Sequence, residues 1–112
     1  MPNEMRKIVF TAEELQAALV NYALRTNKKL PNATIDNILV EEKEGVTATI
    51  VYMREGTDEA KSVEFTPNDV AASIILYCNT RQIPLPREAK KVVVPIEDSV
   101  GMIIKIENQE NS

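Results

Sequence analysis

The sequence predicts an α+β fold: an internal duplication of a β-α-β-β unit, with two helices packed on a mostly antiparallel six-stranded sheet about a pseudo-two-fold axis. Three observations predict it. Landmarks of different kinds recur in the same order about 55 residues apart: Phe10-Thr11 and Phe65-Thr66, Tyr22 and Tyr77, Leu30-Pro31 and Leu85-Pro86. A capped helix start follows each Phe. A pair of apolar strand patterns follows each Leu-Pro.

Lys7 to Phe10 opens the first unit as Lys61 to Phe65 opens the second. Thr11-Ala12-Glu13-Glu14 has the form of a capping box. The threonine hydroxyl accepts the N–H three residues on, and the carboxylate there reaches back to the cap N–H. Thr66-Pro67-Asn68-Asp69 repeats it, with proline at the first helical position, where a missing N–H costs nothing. Leu15, Ala18, Leu19, Tyr22 and Ala23 then recur at helical spacing up to about Arg25. Val70, Ser73, Ile74, Tyr77 and Cys78 do the same in a helix from Pro67 to about Asn79. The Leu-Pro after each helix prevents it from continuing and favours extended backbone.

Two strands follow in each unit. Thr34 to Lys43 turns at Glu44-Gly45 into Val46 to Arg54, and Lys90 to Ile96 turns at Glu97-Asp98-Ser99 into Val100 to Glu107. Val46, Ala48, Ile50 and Tyr52 alternate and define one buried face. Aligning the units with a one-residue deletion just after the second Leu-Pro sets Ile38-Leu39-Val40 on Val92-Val93-Val94 and Ile50 on Ile104. No Gly/Ser-rich linker separates the units. One domain over 1–107 is expected, from repeats of about 6–54 and 61–107, with 108–112 a disordered tail.

The chain has 112 residues, 44% of them hydrophobic, which suits one core rather than two. A net charge of −4 weighs against non-specific binding to nucleic acid or anionic membrane. No apolar run follows the charges of residues 1–7, so neither a signal peptide nor a membrane span is expected. The lone cysteine, Cys78, allows no intrachain disulfide and sits on an apolar stripe, where a buried, inert thiol is expected.

Histidine is absent, which removes the usual general base and the commonest metal ligand. Gly45, Gly56 and Gly101 are isolated and form no phosphate-binding loop. Glu41, Glu42 and Glu44 at one hairpin, and Glu97 and Asp98 at the other, read as solvated turns that protect strand ends. Tyr22 and Tyr77 read as core residues with hydroxyls reaching the edge. No enzyme activity, cofactor or metal is expected.

Charge is segregated. Arg25, Lys28 and Lys29 follow the first helix, and Arg81, Arg87, Lys90 and Lys91 follow the second, together seven of the thirteen basic residues. Cations there complement the helix dipole. They are also the candidate anion-binding set. Ile75 and Leu76 extend the apolar stripe of the second helix around its circumference and are the candidate interface.

Phe65-Thr66 and Ile83-Pro84-Leu85-Pro86-Arg87 resemble the F-T helix start and L-P-R segment of small bacterial proteins of unknown function, mostly alphaproteobacterial. Lys28-Lys29-Leu30-Pro31-Asn32 departs from that pattern at the arginine. The resemblance covers the repeat units and implies no activity. The order helix, three strands, helix also resembles the double-stranded RNA-binding domain, but Thr66-Pro67-Asn68-Asp69 is acidic where that domain carries lysines. The reading that results is a small cytoplasmic protein-interaction or regulatory module that self-associates, as a homodimer, or meets a protein partner. The alternative is a binder of an anionic partner or nucleic acid through the basic segments.

Overall fold

The computed structural model describes residues 3–106. The tail expected over 108–112 lies outside them. The class is α+β, in the order β1 (Glu4–Val9), α1 (Ala12–Arg25), β2 (Thr34–Glu42), β3 (Val46–Met53), β4 (Ala60–Phe65), α2 (Pro67–Thr80), β5 (Lys90–Ile96) and β6 (Ser99–Ile106).

The six strands do not form one sheet. They form two antiparallel three-stranded sheets, ordered β1-β6-β5 and β2-β3-β4. The second is a meander. The first closes the chain on itself, because β1 pairs with β6. Each sheet therefore combines a hairpin from one half with the opening strand of the other. A single sheet joined through β2 or β5 would make that strand an interior one. Neither suits that place. Pro95 in β5 lacks an N–H to donate to a second neighbour, and β2 is interrupted by a register shift between Ile35 and Asn37.

The pairings also correct the alignment of the halves. Ile50 lies opposite Val63, and Met102 opposite Ile8, so Met102 rather than Ile104 takes the place of Ile50. Ile38 lies opposite Ile50 and Val93 opposite Met102, so Val93 rather than Val92 matches Ile38. Ile38 and Val93 are 55 residues apart, Ile50 and Met102 52 apart, so the length difference is three residues at the hairpin tip, not one after the Leu-Pro. The difference matters because a one-residue slip in a strand turns every side chain to the other face.

Both helices start on the capping boxes read from the sequence. Both end in the same way. Lys28 N–H donates to the Ala23 carbonyl and Ile83 N–H to the Cys78 carbonyl, each at 2.8 Å, with Asn27 and Gln82 left-handed at φ 58° between. This is the Schellman arrangement, filled here without glycine. The helices run antiparallel side by side. α1 lies on β6, and α2 on β3 and β4.

One core joins these elements. It holds Leu15, Ala18, Leu19 and Ala23 from α1, and Val70, Ile74, Tyr77 and Cys78 from α2. Ala48, Ile50 and Tyr52 of β3 and Val100, Met102 and Ile104 of β6 complete it, with Phe10 and Phe65 at the strand-to-helix joints. The Phe10 and Tyr77 rings meet edge-on, 6.1 Å apart. Gly101 lies where a Cβ would come within 2.5 Å of Ile96 Cδ1 and 3.2 Å of the Ile8 carbonyl oxygen, so a side chain there would push Ile96 aside and crowd β1. Gly45, at φ +119°, turns the β2–β3 hairpin against Pro67 at the start of α2.

Candidate interaction surface

The cap carboxylates do more than cap. Glu14 Oε1 accepts the Thr11 N–H (2.9 Å), while Oε2 accepts the Tyr77 hydroxyl of the other helix (3.4 Å). Asp69 Oδ2 accepts the Thr66 N–H (3.0 Å), while Oδ1 accepts the Tyr22 hydroxyl (2.7 Å). Each tyrosine thus reaches the N-terminus of the opposite helix, which fixes the antiparallel pairing. The Thr11 backbone bond outweighs desolvation and, with Thr11, Tyr77 and Arg81, holds the Glu14 carboxyl below its ordinary range. Burial works to raise Asp69. Hydrogen bonds from Tyr22 and Thr66 and the charge of Lys28 overcome it, leaving Asp69 lowered too. The same bond to Asp69, with burial, pushes the Tyr22 hydroxyl up. Both tyrosine–carboxylate pairs are satisfied structural links.

The other candidates for chemistry are similarly occupied or open. Cys78 is buried, and burial pushes its thiol up, away from the reactive thiolate. Glu41, Glu42, Glu44, Glu97 and Asp98 are all exposed. Among the described residues, no three His, Cys, Asp or Glu side chains converge as metal ligands. A cleft of about 80 Å³ between Pro31, Ala33, Tyr52, Arg54 and Lys61 is far below the about 300 Å³ of a ligand-sized pocket. A wider groove of about 460 Å³ runs past Glu13, Gln16, Asp36, Leu39 and Asp98 but is open to solvent.

The seven basic residues singled out by sequence scatter into different roles. Lys28 Nζ lies 5.3 Å from the centre of the Phe65 ring, and the Arg81 guanidinium 5.1 Å from the centre of Tyr77. Lys91 Nζ donates to the carbonyls of Pro86 (2.8 Å) and Ala89 (3.2 Å), tying the loop before β5 to the sheet. Arg25, Lys29, Arg87 and Lys90 are exposed. Of the candidate interface pair, Ile75 packs against the core and is half-buried, and Leu76 is half-buried beside it.

Among the described residues five large apolar side chains stand exposed; Leu24 of α1 (67%) and Leu39 of β2 stand apart, and the other three gather elsewhere. Met5 is 67% exposed, Val9 57% and Val92 38%. The register sets all three on the outer face of β1-β6-β5, in rows Met5–Lys105–Lys90, Lys7–Ile103–Val92 and Val9–Gly101–Val94. Three lysines share these nine positions and no carboxylate does. Lys90 and Lys105 are directly opposite, a like-charge pairing that disfavours the sheet. The inner face of the same strands carries Ile8, Met102, Ile104 and Val93 into the core. The outer face of β2-β3-β4 differs: its rows are Glu41–Thr47, Leu39–Thr49–Glu64 and Asn37–Val51–Ser62. It is short in exposed apolar surface, with Leu39 at 47%, and its charges are acidic.

Sequence reasoning missed Met5, Lys7, Val9 and Lys105. Their period-two spacing was legible, but β1 interleaves them with Arg6, Ile8 and Phe10, so both faces are partly apolar. Only the register with β6 and β5 assembles them into one patch. The chain matches no protein-family model, no curated protein and no solved structure. No helix among the described residues is long and apolar enough to cross a membrane.

Proposed function

We propose that this chain is a non-enzymatic protein-interaction module, and that the outer face of the β1-β6-β5 sheet is its contact surface. One observation carries the reading: Met5, Val9 and Val92 stand exposed among Lys7, Lys90 and Lys105 on a face with no acidic residue. Isolated exposed apolar side chains need no explanation, whereas a contiguous apolar patch rimmed by one charge is the mark of a contact site. A protein supplying carboxylates and apolar side chains relieves both the exposure and the lysine repulsion.

The test compares wild type with Val92→Lys. Both are run for self-association by sedimentation and for partner capture from native lysate. Loss of contacts in the variant, with an unchanged circular dichroism spectrum, is expected. Identical behaviour of the two proteins refutes the assignment of this face.

A second reading, an anionic partner held by the segments after each helix, is favoured by the exposure of Arg25, Lys29, Arg87 and Lys90. It predicts binding to nucleic acid that weakens steeply with salt and with Lys90→Glu. No gel shift at low salt removes it.

A further inference from the structure

We infer that the occupant of the basic sheet face is a second copy of this chain, seated through the acidic outer face of its β2-β3-β4 sheet. The inference rests on the interaction-surface reading above and adds the partner and the geometry.

Three observations carry it. The first is charge: Lys7, Lys90 and Lys105 stand on one face, Glu41 and Glu64 on the other, and each face lacks the opposite sign among its paired positions. The second is shape. Both faces are three strands wide. Their shortest strands have six residues. Each face therefore spans about 20 Å by about 10 Å, and flat sheets of equal width stack about 10 Å apart. The third is the placement of apolar residues. Val92 and Ile103 share the middle row of one face with Lys7, and Leu39 shares the middle row of the other with Glu64, so stacking can set apolar side chains together and Lys7 against Glu64.

Symmetric alternatives meet like with like. Two basic faces set lysines against lysines, and two acidic faces set Glu41 and Glu64 against their copies. The favoured contact is therefore heterologous. One molecule uses one sheet and its neighbour the other, so a bound pair still has one free face of each kind, and assembly grows with concentration rather than stopping at a pair. The homodimer expected from sequence gives way to a head-to-tail chain. A patch of this size falls short of the about 800 Å² per partner of a stable interface, so the contact is weak and reversible. Because oppositely charged faces drive it, salt weakens it.

The test is a charge exchange in the full chain, read by sedimentation or light scattering against concentration. Wild type is expected to associate progressively at low salt and to dissociate as salt rises. Lys7→Glu/Lys90→Glu makes both faces acidic, and Glu41→Lys/Glu64→Lys makes both basic. Each variant alone is expected to be monomeric, and a 1:1 mixture is expected to associate again. All four sites are exposed, and circular dichroism with thermal melting confirms that the variants fold. Association of Glu41→Lys/Glu64→Lys by itself, or association of wild type that strengthens with salt, overturns the inference in favour of a symmetric contact.

A wild type that stays monomeric up to about millimolar concentration at low salt also overturns it. The outcome for the broader reading is then distinct. That reading stands if another protein is captured by wild type and lost with Val92→Lys. It falls if nothing depends on the face.

Discussion

The two sheets share a plan and diverge at their surfaces. Each is a hairpin joined by the opening strand of the other half, and each sends one face into the common core. Inward, the two are interchangeable in character: Ile50, Ala48 and Tyr52 on one side, Met102, Val100 and Ile104 on the other. Outward, one presents valines and lysines and the other threonines and glutamates. The inner faces answer to packing, where volume and apolarity are the whole requirement. The outer faces are free of that constraint, so their difference points to what they meet in solution.

The strongest way to break this comparison is through the core. If both sheets answer to one interior, Ile50→Ala and Ile104→Ala each cost about 2–5 kcal/mol. Each also lowers a single urea transition of the whole chain. Two separate transitions, one moved by each variant, would show that the sheets fold independently.

The helix crossing gives the next test. The two tyrosine–carboxylate links are matched in plan and unequal in length, 2.7 Å for Tyr22–Asp69 and 3.4 Å for Tyr77–Glu14. Removing a hydroxyl bonded to a charged carboxylate costs about 1.5–3 kcal/mol in favourable cases. Tyr22→Phe is expected near the low end of that range and Tyr77→Phe well below it, by denaturant unfolding. Equal losses would show that the two ends are equivalent.

Acid sharpens the same point. Glu14 and Asp69 have folded-state pKa values below ordinary. Each contributes stability that is present above its unfolded pKa and lost as pH falls through the folded one. Stability should therefore drop below the ordinary carboxylate range, and Tyr22→Phe should flatten that drop more than Tyr77→Phe. A pH profile unchanged by either substitution would remove these links from the account.

The helix ends predict the smallest effects. Asn tolerates the left-handed conformation better than Gln, and glycine better than either. Gln82→Gly should stabilise by about 1 kcal/mol and Asn27→Gly by less, seen as raised melting temperatures. A destabilised Gln82→Gly would show that the side chain contributes something the backbone geometry does not reveal.

The candidate residues were legible to different depths. Both capping boxes, both helices and the alternation of β3 could be read directly. So could the matching tyrosines, though not that each hydroxyl would find the cap of the other helix. The basic segments were visible as clusters in sequence, yet Lys28 and Arg81 lie over rings and Lys91 ties down its own loop. Proximity along the chain says nothing about the direction of a side chain. Pro95 was the one local sign that β5 borders a sheet rather than sits within it, and the irregular β2 is its counterpart.

By itself the sequence determined the elements, their order and the inward faces of both helices and of β3. Caps, proline placement and apolar periodicity act within a few residues, so they are written locally. The tertiary structure alone decided that β1 joins β6, that the strands divide into two sheets, and that the hairpins differ by three residues at the tip. Those choices rest on backbone hydrogen bonds that every residue except proline offers alike, made between strands as much as about a hundred residues apart. The lysine and glutamate faces exist only once those bonds have set the register.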